Sequence, residues 1–312
     1  SQPDVALLQV EGLYWNITEH QRQRPAFQHQ AVRRKTQDCE PGNRFFAESS
    51  SDSEYIEIKL LPLKVCPFLT MPNLLVEIGN TALKAAWSEG ITLGKTFRYQ
   101  GEKMFEYVDS LVDKEKPAVM VISSTIEIGI KEEENLRSKC GILVILDGRH
   151  TDIACEYDLP AYLSPDRVAS VIAARYLFKD KGSIVFDFGT TLTIDVIESD
   201  GKYAGGNISP GFRTRFKSLS RYSRTLPLVD TPLSVRQTGD SLQSSIESGV
   251  VSGIMFEIKG YLSLFPEKMV VFTGGDALYF AKRMKNSIFA VCNLVLMGLA
   301  LIADKYYVER NG

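Results

Sequence analysis

Apolar and polar positions along the chain alternate between a strand-like and a helix-like period. Residues 73–78 ("NLLVEI") form an apolar run with one acid, Glu77, near its end, and Gly79-Asn80 interrupt it. Residues 82–88 are apolar again, and 94–100 ("GKTFRYQ") are strand-like, so three strands are predicted there. A helix follows around 102–114, then a buried strand at 118–123. "EEENLRSK" (132–139) reads as a helix with its acids in the first turn, where the helix dipole favours them. A strand is predicted at 141–147. After Ser164, Pro165 stands where a helix begins, because its missing N–H is not needed there, and 166–178 ("DRVASVIAARYLF") repeat at the helical period.

The pattern then restarts. Strands are predicted at 183–187 and 191–197, with the turn Gly189-Thr190 between them, then a hairpin at Ser199-Asp200-Gly201, a further strand, and helices. Residues 269–284 read as strand, glycine turn, helix. Apolar helices are read at 254–265 and 288–303, and neither can be assigned to core or interface from the pattern alone. Two halves emerge, 71–179 and 180–312, each opening on strand, acid–glycine–polar turn, strand. Strands and helices alternate afterwards, which is the α/β class.

The segment 1–70 is different. It is polar, without either period over most of its length, and cannot bury enough apolar surface to offset chain entropy. Only "YIEIKLLPL" alternates like a strand. Every methionine lies at Met71 or later, so 1–70 is expected to be a disordered or non-native extension.

Composition narrows the functional classes. The chain of 312 residues is 44% hydrophobic and 24% charged, enough for an ordinary globular core. Its 36 basic and 38 acidic residues give a net charge of −2, without the basic footprint of a nucleic-acid or anionic-membrane binder. No apolar run reaches the ~18–20 residues needed to cross a bilayer. Cys39, Cys66, Cys140, Cys155 and Cys292 lack metal-ligand spacing and read as reduced thiols of a cytoplasmic protein. His150 lies in a polar loop, and histidine-based chemistry is not expected.

The chemistry lies in the repeated turn. Glycine lets backbone N–H groups approach a ligand, and Asn80, Thr81, Thr190 and Thr191 add side-chain donors. Two such turns facing one another would hold a polyphosphate, with Glu77 and Asp187 holding the cation that offsets its charge. "FTGGDA" (272–277) offers Gly274 and Gly275 for close approach to adenosine. There is no P-loop and no dinucleotide-binding fingerprint. In "YDLPAYLSPDRV" (157–168), Asp166 stands at a helix start beside Arg167. This fits a carboxylate base next to an arginine whose forked donors match a substrate carboxylate.

These stretches, together with "EIGNT" (77–81), "ISS" (122–124), "DFGTTLTID" (187–195), "GGNISPG" (205–211), "GDSLQSSIESG" (239–249), "TGGDA" (273–277) and "LVLMGL" (294–299), resemble type III pantothenate kinases in order across 71–312. These belong to the acetate and sugar kinase/actin superfamily. The resemblance implies two ribonuclease H-like, actin-like ATPase halves with a nucleotide cleft between them, assembled as a homodimer. It implies phosphorylation of pantothenate by ATP with Mg2+ and K+ or NH4+, the first step of coenzyme A biosynthesis, without nucleic-acid or membrane partners. By carry-over, Asp166 is the base, and Tyr157, Ser164, Arg167 and Leu242 stand at substrate positions. Glu77, Gly79, Asn80, Thr81, Lys84, Gly189, Thr190, Thr191, Gly274 and Gly275 stand at ATP and phosphate positions, and Asp187 at the monovalent-cation position. The chain departs from the family pattern at Glu77 (usually Asp), Ser164 (usually Gly) and Leu242 (usually Thr). A catalytically weak homologue serving regulation or interaction, and a kinase for another small alcohol, are the alternatives.

Overall fold

The computed structural model describes residues 72–311 and, before them, only the backbone of four short strands: β1 (Gln9–Val10), β2 (Leu13–Tyr14), β3 (Phe45–Ser49) and β4 (Tyr55–Leu60). The expectation of a disordered 1–70 otherwise lies outside the described residues. The chain continues with β5 (Asn73–Ile78), β6 (Leu83–Glu89), β7 (Thr92–Tyr99), α1 (Met104–Val112), β8 (Val119–Ser124), α2 (Ile130–Ser138), β9 (Ile142–Leu146), α3 (Asp152–Glu156) and α4 (Pro165–Leu177). Then come β10 (Ser183–Phe188), β11 (Thr191–Ile197), β12 (Tyr203–Pro210), α5 (Phe212–Tyr222), α6 (Leu242–Leu264), β13 (Met269–Thr273), α7 (Ala277–Ala281), β14 (Ile288–Val291) and α8 (Leu294–Asn311).

The repeat seen in sequence is a repeat of sheet topology. One sheet has the order β7-β6-β5-β8-β9, with β5, β6 and β7 antiparallel and β8 and β9 added parallel to β5. The other runs β12-β11-β10-β13-β14 in the same sense, and β4 and β3 extend it beyond β14. Each opening strand is covered on both faces, so its apolar residues run together instead of alternating with polar ones. Successive side chains still point to opposite sides. Leu75 and Val185 enter the central core, Leu74 and Val76 the outer core of the first sheet, and Ile184 and Phe186 that of the second.

The central core is filled by α4 and α8, which follow the last strand of each repeat and pack against one another. They cross closely at Gly298: a side chain there would meet the Ala169 carbonyl carbon at 2.5 Å and its Cα at 2.8 Å. Leu294, Leu299, Ala300, Ile302 and Ala303 are fully enclosed, so α8 is core. The predicted helix over 288–303 needs correction. Ile288–Val291 is strand β14, buried throughout and parallel to β13, and only the residues from Leu294 are helical. A short apolar run has no readable period, and its isoleucine, phenylalanine and valine suit a strand. Among the described residues Cys140 and Cys155 are free thiols, and no helix is long and apolar enough to cross a membrane.

Candidate active site

Both repeated turns are closed by their glycine. Gly79 N–H donates to the Ala82 carbonyl and Gly189 N–H to the Thr191 carbonyl, each at 3.0 Å. Asn80, Thr81, Thr190 and Thr191 are left exposed, as donors for a ligand must be. The second turn is braced by the start of α5: Gly211 N–H and the Thr214 hydroxyl both donate to the Thr190 carbonyl, at 3.1 and 2.6 Å.

Strand register places the acids. Glu77 on β5 pairs across the ladder with Lys84 on β6, and the Lys84 ammonium lies 3.1 and 3.3 Å from the two carboxylate oxygens. Asp187 on β10 stands between Thr193 and Thr273 on the neighbouring strands. The residue is partly exposed, yet its carboxyl is surrounded by protein. Burial and the like charges of Asp166, Glu77 and Asp195 push it up to about 7, against the opposing pull of Lys84. Glu77 and Lys84 at the first turn and Asp166 at the start of α4 thus act electrostatically on Asp187.

Gly274, between β13 and α7, has φ +90, a conformation that suits glycine. A side chain there would overlap the Asp187 carboxylate and come to 2.7 Å from Phe188 N. Asp276 N–H donates to the Phe188 carbonyl at 3.3 Å, so this third turn stacks on the second.

The start of α4 carries the last group. Ser164 is the N-cap in extended conformation, without a side-chain capping bond, and Pro165 occupies the first turn. Asp166 follows, and its Oδ1 accepts from Arg167 N–H at 3.0 Å. Arg167 is 5% exposed. Its guanidinium is held by Asp195 on β11, through Nε to both carboxylate oxygens at 3.1 Å and Nη2 to Oδ1 at 2.6 Å. Nη2 also donates to the Tyr203 hydroxyl at 3.0 Å, and that hydroxyl donates to Asp195 Oδ1 at 2.8 Å. Burial works against the arginine's charge, but the Asp195 bonds more than offset it and its pKa is raised.

Two further substrate positions are Tyr157 and Leu242. Tyr157 packs beside the central core, its carbonyl accepting from Arg175 at 2.5 Å and its ring 5.2 Å from the Lys305 ammonium. Leu242 opens α6 and lines a groove of about 540 Å³ with Leu219, Leu226 and Ile246, between α5 and α6. Neither has a hydrogen bond or ion pair to Asp166 or Arg167 among the described residues. Sequence reasoning missed Asp195 and Tyr203. The available signal was an acid inside the apolar run 192–197, since a buried charge requires a partner.

Glu77 pairs with Lys84 and Asp195 with Arg167, and Glu77, Asp166 and Asp195 all act electrostatically on Asp187. Among the described residues no three His, Cys, Asp or Glu side chains stand together as a metal-chelating group. Duplicated glycine turns and a carboxylate at a helix start fit the positioning that phosphoryl transfer requires. The family model of type III pantothenate kinase matches residues 73–263. The chain belongs to the type III pantothenate kinase family. It is 36% identical over 238 residues to the type III pantothenate kinase of Christiangramia forsetii, covering 74% of this chain and 98% of that one. With that of Flavobacterium johnsoniae it shares 34% over 235 residues, 73% and 95% of the two chains. Among solved structures, the ROK hexokinase of Thermus thermophilus is 14% identical with a TM-score of 0.45, covering 78% of this chain and 100% of that one.

Proposed function

We propose that the protein transfers the γ-phosphoryl group of ATP to the primary alcohol of pantothenate, the first step of coenzyme A biosynthesis, in a cleft between the two sheets. Family membership supports the reaction. The observation that carries the site is the packing of the Gly274 turn on Asp187, on which Glu77 and Asp166 also act electrostatically. The two turns bind phosphate through Gly79, Asn80, Thr81, Gly189, Thr190 and Thr191, with Lys84 adding charge and Gly274-Gly275 lying against the nucleoside. Asp166 accepts the alcohol proton as the hydroxyl attacks. In phosphoryl transfer, positioning and charge stabilisation supply most of the catalysis, so one well-placed base suffices.

A cation beside Asp187 fits the residues present. A carboxyl whose pKa is raised to about 7 by burial and then by like charges is relieved by a positive neighbour. One such carboxylate, without a chelating cluster, suits a weakly held monovalent ion, K+ or NH4+. Mg2+ usually keeps several waters and is held largely by substrate phosphates. Bound, these ions would offset the charge that ATP adds to an already acidic site. We also propose a cytoplasmic homodimer, which the exposed Leu219, Leu242 and Phe256 of α5 and α6 support and sedimentation would test. The central experiment is ADP release by the full chain with ATP, Mg2+ and K+, with and without pantothenate. Pantothenate-dependent release is expected, and its absence would overturn the reading.

A further inference from the structure

Arg167, Asp195 and Tyr203 form a closed set of hydrogen bonds at the root of α4. The two charged side chains are 6% and 2% exposed. Removing two charges from water is costly and is sustained only by good geometry and further bonds. Arg167 donates four bonds that supply that geometry, three to the Asp195 carboxylate and one to the Tyr203 hydroxyl. Asp195 lies on β11 and Tyr203 on β12, so the set ties α4 to the antiparallel edge of the second sheet. The opposing strand is trimmed to admit it. Gly206 stands opposite Asp195, and a side chain there would come to 2.5 Å from Arg167 Nη2 and 2.6 Å from Asp195 Oδ1.

The set engages Nε and Nη2 but leaves Nη1 without a hydrogen bond among the described residues. Nη1 is also not one of the buried unpaired polar atoms among the described residues, which fits an atom that keeps some access to a ligand. An arginine with its full fork free would grip a carboxylate with two parallel bonds. This one offers only the two N–H groups of Nη1, fixed in direction.

We propose that Asp195 and Tyr203 are positioning residues for the substrate: they clamp Arg167 so that its Nη1 alone meets the pantothenate carboxylate, at a fixed distance from Asp166 one residue earlier on the same turn. The inference rests on the functional reading above and adds the residues that set its substrate geometry. An unclamped Arg167 would swing on its flexible stem, and the carboxylate end of the substrate would lose its anchor. Among the described residues the ATP turns share no hydrogen bond with Asp195 or Tyr203, and Tyr203→Phe leaves the Asp195 charge that acts on Asp187 in place.

Asp195→Asn and Tyr203→Phe test this, the second because it keeps the ion pair and the ring. Each is expected to raise the pantothenate KM about tenfold, the loss of one charge-assisted hydrogen bond, and Tyr203→Phe, which keeps the Asp195 charge, is expected to leave the ATP KM unchanged. A merely structural role would reduce the fraction of active enzyme and lower kcat, leaving both KM values in place. If the wild type is active and Tyr203→Phe matches its pantothenate KM, the clamp is refuted and the functional reading stands. A wild type without pantothenate-dependent turnover would overturn the functional reading and the inference with it.

Discussion

Gly274 packs directly on Asp187. The glycine belongs to the β13–α7 turn and the acid to the end of β10, and the space a side chain at 274 would need is filled by the Asp187 carboxylate and the Phe188 backbone. The third glycine turn thereby fixes the position of the acid in the second.

Gly274→Ala tests that dependence. At φ +90 an L-residue is strained, and the new methyl would push on Asp187 as well. A destabilisation of ~1–3 kcal/mol is expected from the backbone alone, measured as a fall in midpoint of denaturant unfolding. Turnover should fall further than stability accounts for, because Asp187 is displaced. An alanine variant with wild-type stability and kcat would show the contact to be slack.

Asp166→Asn is the test of the base. The amide keeps the size of the side chain and an acceptor oxygen for the Arg167 N–H, so the fold should be retained, as judged by the thermal midpoint. A general base contributes ~10²–10⁴-fold, and kcat should drop by that factor. Near-normal turnover would remove Asp166 from the role.

Lys84→Met addresses the first turn. The ammonium has three donors and stands over the two oxygens of Glu77, remaining 34% exposed at the side chain. A donor turned to a phosphate is expected to be worth about tenfold in ATP KM. The pantothenate KM should not change, because Arg167 and its partners lie on other elements. An unchanged ATP KM would assign Lys84 solely to holding Glu77.

The turns and the start of α4 were legible because they are local. Glycine, an acid and small polar residues within five positions announce a turn at a strand end, and Pro165 announces the helix that presents Asp166. Arg167 illustrates the limit. The sequence shows an arginine beside an acid, and its natural reading is a free fork for a substrate carboxylate. Its actual partners, Asp195 and Tyr203, come from other strands, and only their burial with α4 brings them together. Likewise 288–291 could not be told from helix, because a four-residue apolar stretch fits either period until β13 supplies its neighbour. The core role of α8 was equally hidden, since an all-round apolar helix looks the same inside a core and at an interface.

The raised pKa of Asp187 couples stability, pH and cation binding. Its folded value is about 7 against an ordinary 3.8, so between these values the folded state holds a proton that the unfolded chain has lost. Stability from this group is therefore fully present below pH ~4 and is lost as pH rises towards and past ~7. A cation bound beside the carboxylate acts in the opposite sense: it favours the ionised form and competes with the proton. Potassium should raise the thermal midpoint clearly at about pH 8 and hardly at about pH 5. Asp187→Asn cannot ionise, so it should lose the potassium response at both values and show a flatter stability profile through this window. Thermal unfolding across pH, with potassium or a bulky quaternary ammonium salt at equal ionic strength, separates these outcomes from screening. A potassium effect equal at both pH values, or retained in Asp187→Asn, would place the cation elsewhere.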